Sequence, residues 1–396
     1  MTSKSVVVVG GGSAGWMTAS FLATQTDCKI TVVESPNIPI IGVGESTIPS
    51  INDFMEAVGV TEQDLMDHCS AIRKYTIQHN NWNGDNKSWW HHFCFDESEH
   101  DEQMQWMRTL SVPDKKWRHA YHLDATKLGL MLRDKVGIPN GVKHILDDIV
   151  EIKHNSNGIC EVVGQHESYT ADLYIDCTGF KSLLRTPLGV ETCQHPGLIN
   201  NYALAGPGQY VEPMVNYTQT YAMDHGWRWR VCISHRTGNG YAFNKDLVSI
   251  EQARAEFIAK TPGLLVDKIF EVPMYNRYNP EPWKKNVIAL GLSCGFLEPL
   301  EATGLFLIHA PLKLLIKLLN DPRGAEKYNR VWTRMYNHIA DFLSMHFRTS
   351  RLDHTEYWRS ISKINQVRLP APGQILFDQY SYRNLARSRN MKIVNE

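Results

Sequence analysis

Val6, Val7, Val8 and Val9 form an unbroken β-branched apolar run, which predicts a buried strand. The stretch Gly10-Gly11-Gly12-Ser13-Ala14-Gly15 interrupts it. Residues 16–24 then read as a helix, and 30–33 as a second strand that stops on Glu34. Further helices are predicted over 50–58, 64–78, 125–136, 249–260 and 304–319. Further strands are predicted over 142–152, 159–165, 169–175, 215–222, 227–234, 240–244 and 286–290. From Gly226 to Val231 the pattern has period two, which puts Trp227 and Trp229 on the same side of one strand. Arg236-Thr237-Gly238-Asn239-Gly240 reads as a turn into the next strand. The tail, 322–396, reads as helical, then basic and loop-like, and shows no chemistry.

The opening unit is strand, glycine turn, helix, strand, acid, the pattern of a dinucleotide site. Gly10 allows the tight turn, Gly12 lets the backbone approach a pyrophosphate, and Gly15 lets the helix pack on the strand. Glu34 is suited to a ribose 2′-hydroxyl, which favours FAD or NAD over NADP. The same residues also fit G-x-S-x-G, a hydrolase nucleophile elbow, but that reading leaves Glu34 without a role.

Composition narrows the classes. The chain has 396 residues, 43% hydrophobic and 21% charged, enough for one large or two ordinary domains with a sizeable core. A net charge of -1 argues against nucleic-acid binding. Eight scattered cysteines without a C-x-x-C predict reduced thiols, no zinc site and a cytoplasmic location. No signal peptide is read at the start. The longest apolar run, 305–319, is broken by Lys313 and Lys317, so no membrane span is expected.

Candidate chemistry lies in four places. The loop Gly42-Val43-Gly44-Glu45-Ser46-Thr47-Ile48-Pro49 follows Glu34 closely enough to lie over a bound cofactor. Residues 82–117 are rich in tryptophan and phenylalanine, fitting either a pocket for a flat ligand or a small aromatic core. His91, His92 and His100 lack metal-ligand spacing, so no metal is expected. The strand 286–290 leads into Gly291 to Gly304, a second glycine-rich loop before a helix, and so a second anion site near Thr303 and Gly304. Glu298 and Glu301 precede it; spacing alone equally allows them merely to satisfy the helix dipole. On local pattern Lys74 reads as a solvated charge on a helix.

Taken together, several stretches resemble the flavin-dependent tryptophan halogenases. They are Gly10 to Gly15 with Trp16, the Gly42 to Pro49 loop, Lys74 with Ile77 and Asn81-Trp82, Trp227-x-Trp229, Arg236-Thr237-Gly238-x-Gly240-Tyr241, and Gly295-Phe296-Leu297-Glu298-Pro299-Leu300-Glu301-Ala302-Thr303-Gly304. The resemblance implies an α/β (α+β) fold: an FAD-binding Rossmann-like domain of the flavin monooxygenase type, with an adjacent β-sheet and a helical substrate region. It divides the chain into FAD-binding parts at 1–80, 121–200 and 286–320, an aromatic insertion at 81–120, a β-rich layer at 201–285 and a C-terminal helical segment at 321–396.

The implied activity uses FADH2 from a separate reductase, O2 and a halide ion. A flavin hydroperoxide oxidises the halide to hypohalous acid, which reaches a small aromatic substrate of the indole or phenol type. Lys74 and Glu301 match the catalytic pair, and Thr303 and Gly304 the halide site. Gly10, Gly11, Gly12, Ser13, Ala14, Gly15, Glu34, Asn37, Pro39, Gly44, Glu45, Ile149, Leu292 and Leu305 fall at FAD positions. Trp227 and Trp229 match the pair that separates flavin from substrate, although the proline that ends their motif is replaced by Cys232. Ala302 replaces the family's serine, and the chain is shorter than the free-tryptophan enzymes, so a substrate other than free tryptophan is expected. A monooxygenase on the same scaffold is the alternative, and a homo-oligomer is left open.

Overall fold

In the computed structural model, Ser5–Val9 is the strand its valines predict, and it lies inside a six-stranded sheet. The model describes residues 4–38, 45–93, 117–189, 191–210, 214–373 and 376–394. Lys29–Glu34 and Leu173–Asp176 flank the first strand, both parallel to it. Lys143–Leu146 and Val287–Ala289 extend the sheet, again parallel, and Trp283–Lys284 closes one edge antiparallel. Three distant stretches of chain thus share one sheet. Parallel strands need covered faces, which is why all four valines are buried. Val6 and Val8 pack with Trp16, Met17 and Phe21 of the helix Ser13–Gln25. Val7 and Val9 point the other way, onto Val33, Ile159 and Tyr174.

A second sheet has seven strands in the order Phe270–Pro273, Tyr202–Gly208, Arg236–Phe243, Gly226–Ile233, Tyr217–Met223, Thr76–Asn80, Ser88–His92. Only the pairing of Tyr217–Met223 with Thr76–Asn80 is parallel. A three-stranded patch of Glu45–Ser46, Ala120–Leu123 and Ile72–Lys74 ties the end of the Gly42 to Pro49 loop to the strand that carries Lys74. The helix Gly324–Arg348 buries Trp332, Tyr336, Phe342 and Phe347 in a core shared with Trp227, Leu297 and Leu300. Among the described residues no helix is long and apolar enough to cross a membrane.

Three local expectations are corrected. The predicted helix 64–78 is Glu62–Cys69 followed by two strands, Ile72–Lys74 and Thr76–Asn80. Ser70 ends the helix in the left-handed region at φ 53°, and β-branched Ile72, Thr76 and Ile77 then favour extended chain. The predicted strand 142–152 is interrupted at Asp147, whose side chain accepts from the backbone N–H groups of Gln165, His166 and Glu167. Arg236 to Gly240 is not a turn but the start of the strand Arg236–Phe243.

The first glycine turn is sterically determined. A Cβ on Gly15 would lie 1.8 Å from the Gly10 carbonyl oxygen, whereas one on Gly12 would meet nothing within 4 Å. Gly15→Ala is therefore expected to destabilise the protein by about 3 kcal/mol, and Gly12→Ala by no more than about 0.5 kcal/mol. Chemical denaturation of the two variants side by side measures both, and equal effects would contradict this account of the turn.

Candidate active site

The loops after Val9, Glu34, Asp176 and Ala289 all lie at the carboxyl ends of the parallel sheet, where such folds bind nucleotides. Gly10 has φ +110°, and a Cβ there would sit 2.3 Å from the Cys177 carbonyl oxygen. Glu34 folds against Gly11, and its Oε2 is 2.9 Å from His144 Nε2. No side chain caps the helix at Gly12, and the space in front of Gly12 is open, as a pyrophosphate requires. The Ser13 hydroxyl donates to the Ala125 carbonyl oxygen, which leaves its backbone N–H for that site. Ala14 packs against Gly291 of the second glycine loop. Asn37 donates to Asp148, beside Ile149. Leu292 is 44% exposed at the sheet end, while Leu305 is buried at the start of the last helix of this layer, Phe306–Leu318. Burial, then the charge of Asp124, pushes the Glu45 carboxyl up. Pro39 and Gly44 lie outside the described residues. An open phosphate end and an acid at the second strand fit FAD.

Lys74 is fully buried, although local pattern had read it as solvated. Its Nζ donates to the Thr47 carbonyl oxygen at 2.8 Å and lies 5.0 Å from the Phe93 ring centroid. Thr47 is held in turn by the backbone of Tyr121. Burial drops the Lys74 pKa to about 7, against the opposing pull of the Glu301 charge. Near neutral pH a large share of this amine is thus uncharged and nucleophilic.

Glu301 is 1% exposed and is held from three directions. His346 Nε2 is 2.7 Å and His79 Nε2 is 3.1 Å from Oε1, and His91 Nδ1 is 2.8 Å from Oε2. Burial alone would raise this carboxyl. The neighbouring imidazoles of His91 and His79, with the hydrogen bond to His346, outweigh burial and hold it well below the usual range. Sequence reasoning missed His79 and His346, found no role for His91, and saw no chemistry in the tail that supplies His346. Nothing in the linear spacing of these residues links them to Glu301.

Glu298 is a second buried acid. It accepts from Trp227 Nε1 at 2.6 Å, Asn200 Nδ2 at 2.7 Å and Asn276 Nδ2 at 3.2 Å. Burial pushes its carboxyl up to about 7 despite these donors. The Trp227 and Trp229 rings lie 5.5 Å apart. A Cβ on Gly240 would lie 2.0 Å from the Trp229 ring, so this glycine makes room for the indole. At the start of Phe306–Leu318, Thr303 Oγ1 is buried without a hydrogen-bond partner and Gly304 faces open space. An unpartnered hydroxyl at an uncapped helix start fits a halide.

A parallel nucleotide-type sheet and a buried lysine and glutamate are thus the features that the comparisons with known proteins must match. The tryptophan halogenase family model matches residues 5–112 and 96–390, and the chain belongs to that family. The structure is similar to Xcc4156, a flavin-dependent halogenase from Xanthomonas campestris, with a TM-score of 0.91 at 26% identity over 100% of this chain and 91% of that one. It is also similar to BrvH, a flavin-dependent halogenase from Brevundimonas sp. BAL3, with a TM-score of 0.86 at 26% identity over 100% and 91%. KtzR, a 7-chloro-L-tryptophan 6-halogenase of Kutzneria sp. (strain 744), is 32% identical over 422 residues, 89% of this chain and 81% of its own. The expected fold class is borne out, and the protein is a flavin-dependent enzyme that halogenates an aromatic substrate.

Burial of Lys74 also sets a stability trend. Its amine is protonated up to about pH 10.5 in the unfolded chain but only up to about 7 in the fold. The unfolded state therefore binds more protons at this site between those values, and the Lys74 contribution to stability rises with pH across that window. Lys74→Met is expected to be more stable than wild type at pH 7, by about 1–4 kcal/mol. That advantage should shrink toward pH 10, as paired denaturation curves will measure.

Proposed function

We propose that the enzyme halogenates an electron-rich aromatic of the indole or phenol type through Lys74 and Glu301. The observation that carries this reading is the buried Lys74 amine, its pKa lowered to about 7, within reach of the Glu301 charge. Reduced FAD, which diffuses from a separate reductase, would supply with O2 the oxidising power that converts halide to hypohalous acid. Gly10 to Gly15, Glu34, Asn37 and Ile149 hold the nucleotide from the sheet end, with Glu45, Leu292 and Leu305 completing its surroundings; Pro39 and Gly44 are assigned to it by resemblance alone. Thr303 Oγ1 and the backbone at Gly304 hold the halide.

Trp227 and Trp229 stand between flavin and substrate, so that hypohalous acid rather than the cofactor meets the ring. Lys74 receives the electrophile. As the free amine it either hydrogen-bonds hypohalous acid or displaces water from it to give an N–halogen bond, losing one proton. An arginine would do neither as well, because its guanidinium stays protonated. Ionised Glu301 polarises the halogenating species or takes the proton that the ring loses on substitution.

The chain spans 81% of the length of KtzR, and Ala302 removes a hydroxyl beside the acid. These two departures support indoles, phenols or anilines, or a carrier- or peptide-bound aromatic, over free tryptophan. They also support bromide or iodide over chloride. A cytoplasmic location is consistent with the seven described cysteines, all of which are free.

Purified protein with FAD, a flavin reductase, NADH, O2 and each halide, offered an indole and phenol panel, tests this by mass spectrometry. Halogen mass shifts are expected, largest with bromide or iodide, and are expected to fall at least 100-fold in Lys74→Ala and Glu301→Gln. Hydroxylated products, or shifts unchanged in Lys74→Ala, would overturn the assignment, and preference for free tryptophan with chloride would overturn the substrate reading.

A further inference from the structure

The surroundings of Glu301 hold more ligand chemistry than halogenation uses. His79 and His346 aim Nε2 atoms at one carboxylate oxygen, at 3.1 and 2.7 Å. The three ligand atoms lie within 4.8 Å of one another, and all three side chains are buried. Each imidazole is oriented from behind. His346 Nδ1 is 3.1 Å from the Phe342 carbonyl oxygen, and His79 Nδ1 is 2.8 Å from Thr220 Oγ1. Thr220 is itself fixed by Trp82 Nε1, at 3.3 Å.

A carbonyl only accepts, so His346 Nδ1 carries a hydrogen. Neutral His346 would then turn its Nε2 lone pair onto the carboxylate. His79 Nε2 is fully buried and has no well-aligned hydrogen bond. His79 can meet the carboxylate with an Nε2 hydrogen when the Thr220 hydroxyl donates to its Nδ1, but neutral His346 turns a lone pair onto an anion in a dry site, and a positive charge is needed between those two. A proton on His346 is one solution, and a metal ion is another.

The geometry points to a transition-metal site formed by His79, His346 and Glu301, which takes a borderline divalent cation of the Zn2+ class and switches halogenation off when filled. The sequence spacing of His91, His92 and His100 does not describe it, because all three ligands come from elsewhere in the chain. Two imidazoles and one carboxylate suit Zn2+ or Co2+, not Mg2+ or Ca2+, which prefer oxygen. The Phe342 carbonyl and the Thr220 hydroxyl are the outer partners that orient metal-bound histidines. Ligand bonds of about 2.0–2.2 Å put neighbouring ligand atoms roughly 3.3 Å apart in a tetrahedral site. The two glutamate–imidazole separations, 2.7 and 3.1 Å, are already close to that spacing. The incoming ion releases the proton held between His346 and Glu301 to solvent. His91 touches the other Glu301 oxygen and keeps 10% of its side chain exposed, which marks the way in. Inhibition rests on the proposed role of Glu301, whereas metal binding does not.

The test loads metal-free protein with Co2+ and reads visible absorption. One equivalent with the bands of a four- or five-coordinate site is expected, displaced by Zn2+. Those bands should vanish in His79→Gln and in His346→Gln but persist in His354→Gln, a surface histidine paired with Asp224. X-ray absorption of the zinc-loaded wild type reads the same site without any variant, and two imidazoles per metal are expected. No stoichiometric binding, bands that survive in both variants, or fewer than two imidazoles would overturn the site. One equivalent of Zn2+ should lower halogenation at least tenfold, restored by chelator, and binding without inhibition would overturn the switch. A metal-free enzyme that cannot halogenate at all would count against the proposed function instead, since the cobalt bands are read regardless.

Discussion

A carboxylate with 1% exposure is the constraint on which this active site depends. Removing an isolated charge from water costs several kcal/mol unless hydrogen bonds and opposite charge replace the solvent. Glu301 meets that demand with imidazoles from three separate elements: Thr76–Asn80, Ser88–His92 and Gly324–Arg348. The demand also explains the docking of the C-terminal helix. Gly324–Arg348 brings His346 in together with Phe342 and Phe347, so the contact that satisfies the acid also fills the core. Chemistry and packing here use the same residues.

Lys74 follows from the same dryness. Its strand is tied through Ala120–Leu123 to the end of the loop that carries Thr47, and its amine donates to the Thr47 carbonyl. A lysine so placed gives up charge near neutrality, while the acid keeps its own. One buried region thus holds a partly uncharged amine and an ionised carboxylate. Glu298 performs a different task three residues before Glu301: with Asn200 and Asn276 around it, it anchors the Trp227 indole. Gly240 admits the neighbouring Trp229.

The glycine turn was legible because its logic is local: four valines, three spaced glycines and an acid specify a strand, a turn and a second strand within about thirty residues. The helix predicted across Lys74 failed because Ser70, not a glycine, adopts the left-handed conformation that ends Glu62–Cys69, and no residue type announced it. Gly240 was read as a turn glycine, when the reason for it is an indole on the adjacent strand, visible only once the strands are paired. Glu298 and Glu301 looked like acids near a helix start. Their burial is a tertiary fact, as is the approach of His346 to Glu301 from 45 residues away. Family resemblance supplied Lys74 and Glu301 as a pair, but not the imidazoles that hold the acid, since those lie outside the motifs it rests on.

Titrating Lys74 directly is the measurement that bears most closely on this account. NMR of protein labelled at lysine Cε, with Lys74→Arg to assign the resonance, would follow the amine from pH 5 to 11. The account predicts a midpoint near 7, moving lower in Glu301→Gln because the anion that favours the ammonium form is gone. A midpoint near 10.5 that does not respond to Glu301→Gln would mean that the lysine is solvated and apart from the acid, and would contradict the shared dry site.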